Sequence, residues 1–135
     1  MKALLPLIAS LCTFAGAQAP KHKVVIEVNV AGSIAYGTIL NNAENLEKAF
    51  GSSNLQLEIV CHGNGLDILL PSSQKLVTRI KALQKVGAVF AACSNTMKGR
   101  HMFLSQLVPG AVAVDSGVAE VVRKEEAGWA YLKGG

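Results

Sequence analysis

Apolar positions along the chain alternate between two rhythms. The run Val24-Val25-Ile26-Glu27-Val28-Asn29-Val30 is β-branched and nearly continuously apolar, the pattern of a strand buried on both faces. Gly32-Ser33 breaks it, and Tyr36, Ile39, Leu40, Ala43, Leu46 and Phe50 then recur at spacings of three and four, with Asn41, Asn42, Glu44, Glu47 and Lys48 between them. That spacing predicts an amphipathic helix, ended by Gly51-Ser52-Ser53-Asn54. Residues 55–61 return to strand character before His62-Gly63-Asn64-Gly65. Pro71-Ser72-Ser73 opens a second helix, with Leu76, Val77, Ile80 and Leu83 on one side and Lys75, Arg79, Lys81 and Lys85 around the rest, and Gly87 stops it. A third strand is expected over 88–93, a short helix from Ser94-Asn95-Thr96 weakened by Gly99, and a fourth strand over 111–115 after the turn Pro109-Gly110. Ser116-Gly117 opens another helix through Val118, Val121 and Val122, Gly128 ends it, and 129–133 reads as a short edge strand.

Strands alternating with helices imply parallel pairing, because each helix carries the chain back across a face of the sheet. The expectation is a single three-layer α/β/α domain with a mostly parallel five-stranded sheet over residues 20–135. All strand-to-helix junctions then emerge at one edge, where open α/β proteins place their ligands. Residues 29–33, 62–65, 93–96 and 116–117 should meet there.

The first residues follow a different pattern. Lys2 precedes an apolar stretch over 4–14, and Ala15-Gly16-Ala17-Gln18-Ala19 offers two small-x-small cleavage patterns, the three parts of an export signal. Cleavage is expected after Ala17 or Ala19. Pro20, lacking an N–H and fixed in φ, disfavours the second. The apolar stretch falls short of the roughly 20 residues that span a bilayer, and Cys12 lacks the small residue expected before a lipidated cysteine. A periplasmic or secreted protein with no mature membrane segment is therefore expected.

Composition narrows the rest. Of 135 residues, 50% are hydrophobic and only 16% charged, which excludes a disordered chain. The net charge of +4 is mild and its basic residues are scattered, so nucleic acid is not indicated. Loss of the signal would leave Cys61 and Cys93, too few for a disulfide scaffold and without the paired spacing of a structural zinc site.

Cys93 is the first candidate for chemistry. It closes the third strand where a helix begins, so free backbone N–H groups could stabilise a thiolate, and Lys98, Arg100 and His101 follow closely. The alternative is a small apolar side chain ending a buried strand. Cys61 and His62 are neighbours on a strand and point to opposite faces. Cys61 then packs, while His62 either carries a proton near neutral pH or bonds to backbone. A metal set from Cys61, His62, Cys93 and His101 lacks motif spacing, so neither metal nor cofactor is expected. Gly63-Asn64-Gly65 begins like a dinucleotide fingerprint, but Ile68 stands where the third glycine belongs and the run follows the second strand, so a tight turn explains it. Met102-Phe103-Leu104 reads as core or as a partner surface.

The ordered segments Cys61-His62-Gly63-Asn64-Gly65-Leu66, Phe90-Ala91-Ala92-Cys93-Ser94-Asn95-Thr96-Met97, Asp115-Ser116-Gly117-Val118-Ala119-Glu120 and Gly128-Trp129-Ala130-Tyr131 resemble the DsrE/DsrF-like family, and more specifically its exported branch. The resemblance spans residues 23–133. It implies the three-layer fold, assembly as a trimer or hexamer, and a role in relaying sulfane sulfur between donor and acceptor proteins, with Cys93 as persulfide carrier. His62 is then a proton carrier, and Gly63, Asn64, Gly65, Ser94, Asn95 and Thr96 form the ligand-binding loops. Two features differ from the sulfur-relay members: those work in the cytoplasm, and Cys61 stands where they carry another residue. The family's sheet order makes strands two and three neighbours, which would bring Cys61 towards disulfide distance of Cys93 as a redox partner. The rival readings are an oligomeric binding module without covalent chemistry and a structural cysteine pair.

Overall fold

The computed structural model describes residue 16 and residues 18–135. Most of the expected export signal, with Cys12, lies outside the described residues. Strands β1 (His22–Val28), β2 (Leu55–Cys61), β3 (Val89–Cys93), β4 (Val112–Val114) and β5 (Ala130–Gly134) form one five-stranded sheet in the order β4-β3-β2-β1-β5. Every pairing is parallel. Between them run α1 (Ser33–Phe50), α2 (Gln74–Lys85), the short α3 (Ser94–Gly99) and α4 (Gly117–Glu126). The alternation expected from the hydrophobic pattern is the alternation observed.

The two faces of the sheet are covered unequally. On one, α1 and α2 bury Ile39, Leu40, Ala43, Val77, Ile80 and Leu83 over Ile26, Val28, Ile59, Cys61, Phe90 and Ala92. Each of the large side chains among them contributes about 1.5–3 kcal/mol by leaving water. On the other, α4 alone lays Val121 over Val25, Val60 and Ala91. Strand alternation makes this division, since neighbouring residues face opposite sides. The thin face also holds charge: buried Glu58 pairs with Lys124 Nζ at 2.7 Å, and Lys124 lies 4.2 Å from the centre of the Trp129 ring.

Local chemistry sets the element ends. Gly51 stops α1 in a left-handed conformation (φ 78°) that a glycine adopts without a Cβ clash, and the Ser116 hydroxyl accepts from the Ala119 N–H to start α4. Two expectations change. The turn after β2 continues as a 3-10 helix, Gly63–Leu69, that buries Leu66, Ile68 and Leu69. The stretch 102–104 divides, with Met102 against the larger core and Phe103 73% exposed.

Candidate thiol site at the carboxyl edge of the sheet

Because all strands run the same way, β1, β2, β3 and β4 deliver their C-terminal residues to one edge. Cys61 is the register partner of Ala92, and register partners in adjacent strands point to the same face. Cys93, one residue on, therefore faces the α4 side, while Cys61 faces α1 and α2. The two thiols are free and separated by the sheet. The structure does not bring them together: the expectation of Cys61 as a redox partner fails on strand parity, since neighbouring strands supply proximity but adjacent register positions supply opposite directions.

Their surroundings differ accordingly. Cys61 is fully buried in the aliphatic layer, and its thiol donates to the Ile59 carbonyl at 3.8 Å. Burial pushes its thiol far above the usual range. Cys93 is 4% exposed, and that burial also pushes its thiol up. The Thr96 hydroxyl and the backbone N–H groups of Thr96, Gly117 and Asn95 around its sulfur outweigh the effect and hold it below the ordinary range. A thiolate gains more from such donors than a thiol does.

Thr96 ties this cluster to the loop after β2. Its Oγ1 accepts the Gly63 N–H at 2.9 Å, which leaves its own O–H to point at Cys93. Gly63 holds a left-handed conformation (φ 53°), suited to a residue without a Cβ. Gly65 packs so tightly that a Cβ there would lie 2.0 Å from the Val28 carbonyl oxygen. Asn64 is exposed and accepts from Arg100 at 3.3 Å. Arg100 also pairs with Asp67, so it braces the 3-10 segment instead of facing the thiol. Lys98 is exposed. The field at Cys93 thus comes from hydrogen-bond donors, not from the cations the sequence suggested. Ser94, Asn95 and Thr96 form the first turn of α3, and Asn95 is exposed.

His62 does reach the α4 side. Its Nε2 lies 2.7 Å from Glu27 Oε1, and the Tyr131 hydroxyl donates to Glu27 Oε2 at 2.5 Å. A Cβ on Gly117 would sit 2.7 Å from His62 Cβ, so His62 and the Cys93 sulfur flank the same glycine. Glu27 and Tyr131 carry no sequence motif. The signal for Glu27 is a charge inside the otherwise apolar run 24–28, at the same parity as His62. Tyr131 joins it only through the register Val25↔Tyr131. Among the described residues, no group of three or more His, Cys, Asp or Glu side chains could hold a metal ion, and no helix is long and apolar enough to cross a membrane.

No family model and no curated protein matches the chain. Solved structures do. The chain is similar to MTH1491 from Methanobacterium thermoautotrophicum, a protein of unknown function, with a TM-score of 0.77 and 28% identity over 83% of this chain and 98% of that one. It is similar to the YchN protein of E. coli (TM-score 0.67, 18% identity, 83% and 98% covered). It is similar also to BT1422 from Bacteroides thetaiotaomicron, a conserved protein of unknown function (TM-score 0.65, 15% identity, 82% and 93% covered). The chain thus shares, over nearly the whole length of these neighbours, the DsrE-like fold of proteins whose own activities are open.

Proposed function

We propose that this is an exported DsrE-like sulfur carrier in which Cys93 accepts a sulfane sulfur as a persulfide and hands it to a partner thiol. The observation that carries the reading is the cluster of donors from Thr96, Asn95 and Gly117 around one thiol at the ligand edge of the sheet. The thiolate is the nucleophile in sulfur exchange, and these donors favour it. It attacks the outer sulfur of a donor persulfide R–S–SH; the donor S–S bond breaks, R–S⁻ leaves, and Cys93–S–SH forms. An acceptor thiolate reverses the exchange, so no net oxidation occurs. Export through cleavage after Ala17 or Ala19, and self-association as a trimer or hexamer, belong to the same reading. The exposed Val112, Val118 and Val122 beside the thin layer support self-association.

The test is mass spectrometry of the purified protein after exposure to glutathione persulfide. Cys93 should gain one sulfur atom, the Cys61→Ala protein should load equally, and the Cys93→Ser protein should not. Equal loading of the Cys93→Ser protein overturns the reading. One observation favours a second: at 4% exposure the Cys93 thiol is nearly closed off, as in a module that binds a ligand at this edge without covalent chemistry. In that case native Cys93 takes up no sulfur and resists alkylation.

A further inference from the structure

The first N–H groups of a helix have no partner within it. In α1 the earliest N–H with a backbone acceptor is that of Tyr36, on the Gly32 carbonyl, and in α2 that of Val77, on the Ser73 carbonyl. Residues 33–35 and 74–76 therefore present free donors, and neither helix end has a side-chain cap or an acid in its first turn. The two ends meet at one cavity of about 400 Å³, lined by Ser33 and Tyr36 from the first and by Ser72, Ser73, Lys75 and Arg79 from the second. No carboxylate lines it. Arg79 is already held by Glu44 at 2.7 Å, which leaves the exposed Lys75 as the available charge. Tyr36 adds a donor that belongs to neither set of helix N–H groups. It is only 7% exposed. Helical side chains lean towards the N-terminus, and the Tyr36 hydroxyl reaches the Gly32 N–H at the start of α1. Burial pushes the hydroxyl up, against the pull of that N–H, so it keeps its proton; among the described residues no acceptor takes that proton. A buried tyrosine hydroxyl ordinarily has a partner.

We propose that this cavity binds a phosphate-class oxyanion, free or as the head of a small phosphate ester, between the N-termini of α1 and α2 and under the Tyr36 hydroxyl. Every polar group that offers itself there is a donor or a cation, and an anion with several oxygens satisfies all of them at once: the helix N–H groups, the phenol, and the Lys75 ammonium. The partial positive charge of two helix ends acts in the same direction. The volume falls within the range of small-molecule sites, about 300–1,000 Å³, so there is room for a body beyond the anion, and the serine hydroxyls suit a polar one. The cavity lies on the face of the sheet that α1 and α2 cover, opposite to Cys93. Its occupancy is independent of the sulfur-carrier reading, and either can fail without the other.

Proton–nitrogen-15 correlation NMR of the full chain, titrated with inorganic phosphate at constant ionic strength in chloride, reads the site at its own amides. The N–H signals of residues 33–35 and 74–76 should shift and saturate with a Kd on the order of 1 mM, while chloride alone leaves them in place. A second titration with glycerol 3-phosphate separates the two sources of the anion: tighter binding than inorganic phosphate assigns an ester, and equal or weaker binding assigns the free ion. Tyr36→Phe keeps the ring and should weaken binding by about ten-fold. Lys75→Gln, at an exposed position that the fold does not depend on, should weaken it by about three-fold, with the rest of the spectrum unchanged. Amides 33–35 and 74–76 that stay in place with both probes overturn the proposal. So does binding that a folded Tyr36→Phe or Lys75→Gln protein retains at wild-type strength.

Discussion

Cys61 and Cys93 end adjacent strands of one sheet and differ by a single register position, yet they occupy opposite chemical worlds. Cys61 looks into the layer packed by α1 and α2, where its neighbours are aliphatic. Cys93 looks towards the thin layer under α4, where the strand ends meet polar groups instead of a second hydrophobic core. The fold packs one face as its main core and leaves the edge of the other lined with hydrogen-bond donors. Residue type predicts neither role; the direction of the side chain does.

The largest test of that contrast is kinetic. Cys61 has no route to solvent short of opening the core, so its alkylation should be limited by global unfolding. For a domain stable by about 5 kcal/mol, that protects it by on the order of 10³-fold or more. Cys93 needs only a local rearrangement of the first turn of α3. Mass spectrometry of native protein after short exposure to iodoacetamide should find label on Cys93 and none on Cys61. Comparable labelling of both would mean that the two surroundings do not govern reactivity.

The second test turns on pH, and the two thiols give opposite signs. Burial raises the Cys61 thiol in the folded state, so its contribution to stability is complete below the unfolded thiol's value of about 8.5. Above that value it is lost at about 1.4 kcal/mol per pH unit. The Cys93 thiol is lowered in the folded state, by donors that outweigh its burial. Its contribution is present above the unfolded value and is lost as pH falls through the folded one. Urea unfolding of wild type, Cys61→Ala and Cys93→Ala across the neutral to alkaline range separates them. Relative to wild type, the Cys61→Ala protein should gain ground above about pH 8.5, whereas the Cys93→Ala protein should lose ground as pH rises towards that point. Parallel curves would refute the contrast.

Part of this arrangement was legible in the sequence. The order of elements followed from periodicity, parallel pairing followed from their alternation, and Cys93 was found at the junction of β3 and α3 because strand residues gave way there to Ser94-Asn95-Thr96. Alternation also separated Cys61 from His62. The Glu27–His62–Tyr131 chain was not legible, because its members lie 35 and 104 positions apart and meet only once strand register is set. The 3-10 segment after β2 escaped too, since Gly63-Asn64-Gly65 reads as a turn and a 3-10 helix is a short piece with no strong pattern of its own. The cations near Cys93 in sequence were misleading for a related reason: Arg100 is claimed by Asp67 and Asn64, a competition that spacing alone does not reveal.

The finest test removes one oxygen from the favoured side of the contrast. Thr96 accepts the Gly63 N–H at 2.9 Å and turns its own O–H to the Cys93 sulfur. Thr96→Val keeps the shape and β-branching but deletes both bonds. Gly63 is exposed, so water takes over its N–H and the loss of stability should stay near 1 kcal/mol. The sulfur has no such substitute in its nearly closed site. Its thiolate loses the one side-chain donor among its partners, and the alkylation rate of Cys93 at neutral pH should fall by about ten-fold, with Cys61 unmoved. A Thr96→Val protein that melts near wild type and labels Cys93 at the wild-type rate would assign the lowered thiol to the backbone N–H groups of Thr96, Asn95 and Gly117 alone. Ser at the same position separates the two effects, because it restores the hydroxyl without the methyl and should recover the rate whatever it does to the melting temperature.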